Sequence, residues 1–491
     1  MSIVIIGNGM AGSRLVTEIR ARDRQVPVTV FGAERQQPYN RILLSNVLAG
    51  TAAPDQISLV DPAWYGRNDV DARLGVEVVS VDRAARVVHA SDGTAVPYDT
   101  LVLATGSTAF VPPIPGTEGG LPAGAVAFRT LEDCREILAA ADGARRAVVV
   151  GGGVHRTDAA PKPMLLGIEA ARGLAGRGLE VTVVHLAGHL MERQLDPGAG
   201  RVLARTLGRL GIRARLDVTV SALHVEGERV AGVGLATGER LDADVVVLAC
   251  GVRPETALAR AAGLEVDRGV VVDGTLRSVT DPAVRAIGEC SQHDGTVYGL
   301  VAPAWEQATV LADLLTGADD RARFTGARQI TRLKAASVDL VAMGETHHGD
   351  DDPEVEVLSF TDPSRGTYKK VAIRDDRVIG AILLGETSTA GTLTQLYDRS
   401  APAPSDRLSL FFPGMEGAAT ADSPLRMPDA ATVCHCNNVS KGQIRACWEK
   451  GARTADEVAE GTRASTGCGG CRDALEGIVA WLGEQDAVPA G

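Results

Sequence analysis

The sequence predicts an α/β protein with two Rossmann-like nucleotide-binding domains, a β-rich third domain and a small helical domain that carries cysteines. Two apolar strands, each running into a glycine-rich turn and a helix, predict the nucleotide-binding domains, and the second of these patterns starts at Ala147. A later stretch of short alternating runs predicts the β-rich domain. With 491 residues, the chain is long enough for about three to four domains.

Charge and hydropathy exclude several classes of protein. Asp and Glu outnumber Lys and Arg by 62 to 50, and no basic block interrupts this balance, so we expect no nucleic-acid binding and no attraction to anionic membranes. The apolar runs fall far short of the roughly 18 residues that a membrane span needs. Because only six residues precede Gly7, and they have the pattern of a strand, a secretory leader has no room and we expect a cytoplasmic protein.

The first candidate nucleotide site follows the strand pattern Ser2–Ile6. Its three glycines have different roles: the first permits a tight turn, the second lets the backbone approach a pyrophosphate, and the third allows close packing of helix and strand. A helix and a second strand follow, and an acidic residue then stands where dinucleotide folds bind a ribose. These residues are Gly7, Gly9, Gly12 and Glu34.

A second candidate nucleotide site begins where the strand Ala147–Val150 runs into Gly151 and Gly153. A helix over 166–177 and a strand over 180–185 follow, as in the first unit. Two such units in one chain suit a flavin on one and a nicotinamide on the other, so that a hydride can cross between them. The alternative is that the second unit is degenerate.

The second glycine turn is interrupted by eleven residues, His155 to Leu165. Without them an ordinary glycine fingerprint would be restored. The insertion can be a harmless solvated loop, can weaken nicotinamide binding by moving the amides that face the pyrophosphate, or can bring Arg156 and Lys162 to a 2′-phosphate. His185 ends the second strand, where an acidic residue would favour NADH, so the choice between NADH and NADPH stays open.

The remaining pattern predicts the domain organisation. The apolar strands at 101–106 and 245–251 are interpreted as crossover segments between the nucleotide-binding domains, and 284–290 as a return to the first domain. Two strands joined across Asp375 and Asp376 predict a hairpin. The predicted domains are a split first domain over 1–115 and 241–320, a second over 116–240, a β-rich domain over 324–413, a linker over 414–431 and the cysteine-bearing domain over 432–485.

The cysteine-bearing domain contains two close pairs, Cys434 with Cys436 and Cys468 with Cys471. Four thiols in two chelating pairs indicate a metal centre in a reducing compartment, and such a centre would stabilise a domain of this size. Zinc fits four thiolates. The Cys-x-Cys first pair, the helical surroundings and the attachment to a nucleotide-binding protein favour a 2Fe-2S cluster.

Helices are predicted around these cysteines. Ser440 with Gln443 and Thr454 with Glu457 have the spacing of capping boxes, and a third helix is predicted over 472–482. The other four cysteines are scattered, and each is interpreted as a small core residue; they are Cys134, Cys250, Cys290 and Cys447. We therefore expect no second cysteine-bound cluster on this chain.

Taken together, these motifs resemble the flavoprotein reductases that supply electrons for nitrite and nitrate assimilation. The chain is similar to the N-terminal half of NADH-dependent nitrite reductase large subunits and to the electron-transfer subunit of assimilatory nitrate reductases. The strings that carry the resemblance are Pro38–Ser45, Val184–Pro197, Ile287–Cys290 and Tyr298–Pro303. The tail resembles 2Fe-2S domains of the bacterioferritin-associated-ferredoxin type.

The resemblance implies three groups of binding residues. It implies FAD at Gly7, Gly9, Gly12, Glu34, Arg41, Thr105, Gly106 and Glu289. It implies a nicotinamide nucleotide, NAD(P)H, at Gly151, Gly153 and Glu169. It implies a 2Fe-2S cluster at Cys434, Cys436, Cys468 and Cys471. No catalytic residue is assigned, because the region from Arg41 to Val47 contains no cysteine for dithiol chemistry.

The function implied is an NAD(P)H-dependent oxidoreductase that passes electrons through FAD and the cluster to a separate nitrate or nitrite reductase subunit. Two alternatives stay open: a redox sensor or scaffold with impaired nicotinamide binding, and the same flavoprotein with a zinc-stabilised docking domain. The identity of the electron acceptor and the formation of a homodimer are not decided by the sequence.

Overall fold

The computed structural model describes residues 1–151, 165–335, 338–412, 427–434, 437, 439–466 and 469–487. The chain divides into two compact units, and each is built from separate segments. The first unit comprises Met1–Arg41, Ala52–Ala109 and Val252–Ala327. The second comprises Ile42–Thr51, Phe110–Gly251 and the described residues from Arg328 onward.

The strands and helices are numbered in chain order. Up to Ala109 they are β1 (Ile3–Ile6), α1 (Met10–Arg22), β2 (Val28–Gly32), α2 (Leu44–Ala49), α3 (Trp64–Arg67), β3 (Val70–Leu74), β4 (Val78–Asp82), β5 (Val87–Ala90), β6 (Ala95–Pro97), β7 (Thr100–Leu103) and β8 (Ser107–Ala109). From Phe110 to Gly251 they are β9 (Ala125–Ala127), α4 (Leu131–Ala141), β10 (Arg146–Gly151), α5 (Leu165–Gly176), β11 (Glu180–His185), α6 (Pro197–Arg209), β12 (Ile212–Arg215), β13 (Val220–Glu226), β14 (Arg229–Leu235), β15 (Arg240–Asp242) and β16 (Val245–Ala249).

From Val252 to Ala327 the elements are β17 (Val252–Pro254), α7 (Ala257–Ala261), β18 (Val270–Val272), β19 (Val284–Ala286), β20 (Ser291–His293) and α8 (Val301–Thr316). Beyond Arg328 they are β21 (Ile330–Ala335), β22 (Val338–Gly344), β23 (Glu356–Asp362), β24 (Thr367–Arg374), β25 (Arg377–Leu384), α9 (Ala390–Arg399), β26 (Thr432–Cys434), β27 (Val439–Ser440), α10 (Lys441–Glu449), α11 (Ala455–Thr462) and α12 (Arg472–Ala487).

The first unit contains a five-stranded parallel sheet in the order β19-β7-β1-β2-β3. All four residues of β1 are buried, as expected for a strand at the centre of a parallel sheet covered on both faces. Helices α1 and α8 pack together, with the Arg14 guanidinium 5.1 Å from the ring centroid of Trp305. This order puts the first glycine turn at the carboxyl end of the central strand, which is where α/β sheets bind ligands.

The second unit contains a similar parallel sheet, in the order β12-β11-β10-β16-β9. Strand β16 pairs with β10, with Ala147 opposite Val245, so the segment 245–251 is a strand of the second sheet, and the chain passes to the first unit directly after it. The segment 101–106 likewise contains a sheet strand, because β7 pairs with β1 in the first sheet, and the chain passes to the second unit at Phe110. Both strands have apolar cores, Leu101–Ala104 and Val245–Ala249, because each strand is buried on both faces. The chain returns to the first unit at Val252, and we propose this boundary in place of residue 241.

The β-rich region of the second unit is an antiparallel sheet in the order β21-β22-β25-β24-β23. Strands β24 and β25 form the predicted hairpin, and both turn residues, Asp375 and Asp376, have positive φ values of 50° and 57°. This geometry is typical of a two-residue type I′ turn. Leu410 and Phe411, from the apolar end of the β-rich segment, are buried in the core of this sheet.

The C-terminal region forms a small helical core. The capping boxes predicted at Ser440 and Thr454 are both present, each with its reciprocal hydrogen bond, and start α10 and α11. Ile444, Val458 and Leu475 bring α10, α11 and α12 together in one apolar cluster. In the described part of the chain, every helix falls short of the length and apolar character needed to cross a bilayer.

Candidate cofactor sites

The first glycine turn has the geometry of a phosphate-binding turn. Gly7 has φ +111°, and a Cβ there would lie 2.1 Å from the Ala104 carbonyl oxygen. A Cβ on Gly12 would lie 1.9 Å from the Gly7 carbonyl oxygen, so these two glycines are required by backbone contacts. A Cβ on Gly9 would meet no atom within 4 Å. Gly9 therefore faces open space, and it is also the N-cap of α1, where no side chain caps the helix.

Glu34 lies beyond the end of β2 and is held by two neighbours. The Tyr39 hydroxyl donates a 2.6 Å hydrogen bond to Oε2, and the Arg41 guanidinium pairs with Oε1. Arg41 also lies over the Tyr39 ring, 4.9 Å from its centroid. About a third of the Glu34 side chain stays exposed, so its carboxylate can still accept a hydrogen bond from a ribose hydroxyl.

Two further turns follow the neighbouring strands β7 and β19. After β7, Thr105 donates its hydroxyl hydrogen to the Glu255 carbonyl oxygen at 2.7 Å, and Gly106 has φ +72°. After β19, Glu289 accepts a 2.6 Å hydrogen bond from the Ser107 hydroxyl. Because β7 and β19 are adjacent, the sheet brings these predicted FAD-binding residues to the same edge as the first glycine turn.

Buried donors in the first unit fit an anionic dinucleotide. Asn8 lies between the first two glycines, and its Oδ1 accepts from the Tyr65 hydroxyl at 2.6 Å, while its buried Nδ2 has no partner in the described structure. Gln307 accepts from the Gly288 amide at 2.7 Å, and its Nε2 is unpartnered in the same way. An unsatisfied buried donor costs about 1–3 kcal/mol, which a phosphate or carbonyl oxygen of a bound cofactor would offset.

Sequence reasoning missed Asn8, Tyr39, Ser107 and Gln307. Asn8 lies within the recognised glycine turn and Tyr39 lies two residues before Arg41, so their positions in these motifs were enough to mark both as site residues. Ser107 and Gln307 reach Glu289 and Gly288 from 182 and 19 residues away along the chain, and no local pattern marks such pairs.

The second glycine turn is described only in part. Gly151 ends β10, and Glu169 lies on α5 with its side chain half-buried. Gly153, Arg156 and Lys162 lie outside the described residues, so the predictions made for the inserted segment stay predictions. Strand β10 lies at the centre of its sheet, between β11 and β16, so Gly151 has the same topological position as Gly7 in the first unit.

Two of the four predicted cluster ligands lie in the described chain. Cys434 ends β26 and Cys471 immediately precedes α12, and both are buried in the same apolar cluster. Cys436 and Cys468 lie outside the described residues. Within those residues there is no group of three or more His, Cys, Asp or Glu side chains placed to hold a metal ion. Two thiols in one core fit half of a four-thiolate site, the donor set of a 2Fe-2S cluster.

The remaining cysteines differ from these. Burial raises the pKa of the Cys134 thiol to about 11 and that of Cys250 to about 12, and it also raises the pKa of Cys290. These thiols stay protonated at neutral pH and are poor nucleophiles. They are buried, as predicted. Cys447 is only half-buried, at the margin of the C-terminal core.

The two parallel sheets with their glycine turns and the cysteine-bearing helical domain define a flavoprotein oxidoreductase with an attached iron–sulfur domain. The chain belongs to the pyridine nucleotide-disulphide oxidoreductase family, whose profile matches residues 1–308. Residues 330–401 match the C-terminal domain of rubredoxin NAD+ reductase, and residues 432–481 match the BFD-like 2Fe-2S binding domain. The expected cofactors, FAD, NAD(P)H and a 2Fe-2S cluster, are those of these families, and the zinc alternative is set aside.

Similar proteins cover nearly the whole chain. The NAD(P)H nitrite reductase of Bacillus subtilis (strain 168) is 38% identical over 481 residues, which are 97% of this chain and 57% of that protein. The assimilatory nitrate reductase electron transfer subunit of the same organism is 34% identical over 483 residues, 98% of this chain and 59% of that protein. The chain thus spans a little over half the length of these curated relatives.

Solved structures show the same fold. A ferredoxin reductase from Rhodopseudomonas palustris has a TM-score of 0.70 and 25% sequence identity, covering 79% of this chain and 92% of that chain. The predicted α/β fold class and the FAD-dependent oxidoreductase class are therefore confirmed.

Proposed function

We propose that this chain takes electrons from NAD(P)H and passes them, through FAD and a 2Fe-2S cluster, to a separate nitrate or nitrite reductase subunit in the cytoplasm. The observation that carries the proposal is the joining of a two-nucleotide flavoprotein fold to a BFD-like domain in one chain. The relatives, a nitrite reductase and an electron transfer subunit for nitrate reductase, support the choice of acceptor.

In this proposal the first unit holds FAD. The open space at Gly9 and the uncapped start of α1 receive the pyrophosphate, while Gly7 and Gly12 shape the turn. Glu34, kept in place by Arg41, accepts from the ribose, and Glu289 with Thr105 and Gly106 lies along the remaining part of the site. FAD bound there supplies the chemistry of accepting a hydride and releasing electrons singly.

In this proposal the electrons leave the flavin through the 2Fe-2S cluster and not through a redox-active dithiol. Cys134, Cys250 and Cys290 are buried and protonated, so no described thiol of the first 300 residues is suited to dithiol chemistry. Cys434, Cys436, Cys468 and Cys471 are the proposed cluster ligands. Gly151, Gly153 and Glu169 are the proposed nicotinamide-binding residues.

An anaerobic absorbance titration of the reconstituted full chain tests the proposal. Bleaching of both the flavin and the cluster bands by NADH or NADPH is the expected result, followed by steady reduction of a dye acceptor. If dithionite bleaches both bands and neither nucleotide does, the donor site is not functional and the redox-sensor alternative is favoured. If iron is missing from protein that retains FAD after anaerobic reconstitution, the cluster assignment fails.

A further inference from the structure

The end of strand β11 is the place where a dinucleotide fold selects its ribose. An acidic side chain there accepts hydrogen bonds from an unphosphorylated adenosine ribose, and its charge opposes a 2′-phosphate. In this chain the strand ends in His185, which is only 1% exposed. Its Nδ1 lies 3.0 Å from the Gly151 carbonyl oxygen, so the ring lies across the ends of β11 and β10. A buried imidazole in this position is not the surface group that would contact a ribose.

Glu192 stands next to that imidazole. Its Oε2 lies 2.8 Å from His185 Nε2, and a quarter of its side chain is exposed. The contact therefore carries a carboxylate to the end of β11 from a loop seven residues further along the chain. Burial alone would raise the pKa of Glu192, but the hydrogen bond and charge of His185 lower it below its usual value, so the carboxylate is ionised at neutral pH.

The backbone around Glu192 is held firmly. Met191 has a positive φ of 56°, a rare conformation for a non-glycine residue, and its carbonyl oxygen accepts from the amides of Gln194 and Leu195, both at 2.9 Å. Leu190 and Leu195 are fully buried on either side. The Glu192 carbonyl oxygen lies 2.8 Å from His347 Nε2. A carboxylate on so constrained a loop has a fixed position, as ligand recognition requires.

We propose that Glu192, positioned by His185, is the ribose-binding carboxylate of the nicotinamide site and makes the chain selective for NADH over NADPH. This inference rests on the proposed function, because it requires that a nicotinamide nucleotide binds to the second unit. It identifies the residue that decides between NADH and NADPH, a choice that His185 at the end of β11 left open. A carboxylate accepts hydrogen bonds from both ribose hydroxyls, whereas a 2′-phosphate offers it only negative charge.

The test is the affinity of the reconstituted full chain for NAD+ and NADP+ by calorimetry, together with kcat/KM for NADH and NADPH. Wild type is expected to favour the unphosphorylated nucleotide by at least about tenfold. Glu192→Gln keeps the shape of the side chain and should weaken NAD+ binding by about 10- to 100-fold, the range for a hydrogen bond to a charged group, with NADP+ affinity unchanged or improved. Glu180→Gln, at the exposed start of the same strand, is the matched control and should change neither affinity.

Glu192→Asp provides a second variant if the glutamine variant fails to fold, and it should retain selectivity with weaker binding. Equal affinities for the two nucleotides in wild type, or an equal loss of both in Glu192→Gln, would overturn the inference and leave the proposed function standing. Absence of binding by either nucleotide to wild type would overturn both. A selectivity for NADH that disappears in Glu192→Gln and persists in Glu180→Gln supports the inference.

Discussion

Asp196 connects α6 to the β-rich sheet within the second unit. Its carboxylate accepts from the Ala199 amide at 2.8 Å, as the N-cap of α6, and from the Tyr368 hydroxyl at 2.6 Å. Lys370, on β24, completes the site with its Nζ 2.8 Å from Asp196 Oδ2. The Asp196 and Lys370 side chains are only 10% and 7% exposed, so this is a buried ion pair.

Asp196→Ala should destabilise the second unit by about 3–5 kcal/mol. The substitution leaves the Lys370 ammonium buried with one hydrogen-bond partner among the described residues, the Thr346 carbonyl oxygen at 3.2 Å. It also removes a helix cap, which is usually worth about 1 kcal/mol. The double variant Asp196→Ala with Lys370→Met should recover most of the loss, because no buried charge then stays uncompensated.

The assay is urea unfolding of the full chain followed by circular dichroism, with hydrogen exchange assigning the transition to α6 and β24. The control is Glu180→Gln, which breaks a pair with Arg213 whose side chains are about 70% exposed. An exposed pair contributes about 0–1 kcal/mol. If Asp196→Ala lowers the free energy of unfolding no more than this control, the reasoning about the buried pair is wrong.

The pH dependence of the same site has a definite sign. Burial would raise the pKa of Asp196, but hydrogen bonds from Ala199, Lys370 and Tyr368 lower it below the usual 3.8. A lowered carboxyl pKa contributes stability above the unfolded pKa, and this stability is lost as the pH falls through the folded value. The difference between wild type and Asp196→Ala should therefore shrink below about pH 4.

Three further predictions concern other sites. Gly9→Ala should keep the melting temperature of the apoprotein, since the new Cβ meets only open space, and it should lower the FAD content. Gly12→Ala should instead destabilise the fold itself. Equal FAD content in Gly9→Ala and wild type would contradict the assignment of this turn to FAD. Cys434→Ser should lose iron and retain FAD, and Cys447→Ser should retain both, as measured by iron and flavin content. His348→Gln should destabilise the protein at pH 5.5 and have no effect on its stability at pH 9. Hydrogen bonds to Glu345 and Asp352 raise the His348 pKa above 6.5, and the stability that the protonated ring contributes is lost as the pH rises through the raised value. Thermal melts at both pH values check this prediction.

Most of the correct predictions rest on local sequence patterns. The glycine turn after β1, the Asp375–Asp376 hairpin and the two capping boxes each depend on residues within a few positions of one another, so sequence spacing is enough to predict them. The strand Glu180–His185 begins and ends at the predicted residues for the same reason.

Long-range pairings account for what the sequence did not predict. We propose Val252 in place of residue 241 as the return to the first unit, because β16 pairs with β10 about 100 residues earlier, and an apolar run does not indicate which sheet it joins. The Asp196–Lys370 pair joins residues 174 apart. The contact between His185 and Glu192 spans only seven residues, but it depends on the reversal of the loop at Met191, where a positive φ in a non-glycine residue has no sequence signal.

The discontinuity of the first unit has a consequence for its synthesis. Strand β7 emerges from the ribosome early, but its neighbour β19 begins at Val284, 181 residues after Leu103. At 5–20 residues per second, this edge of the sheet waits roughly 10 to 40 seconds for its partner. The strands of the second sheet, from β9 to β16, are complete before then. The nascent flavin unit therefore presents an open strand edge during translation, where a chaperone could protect it, and Glu289 and Gln307 join the site last.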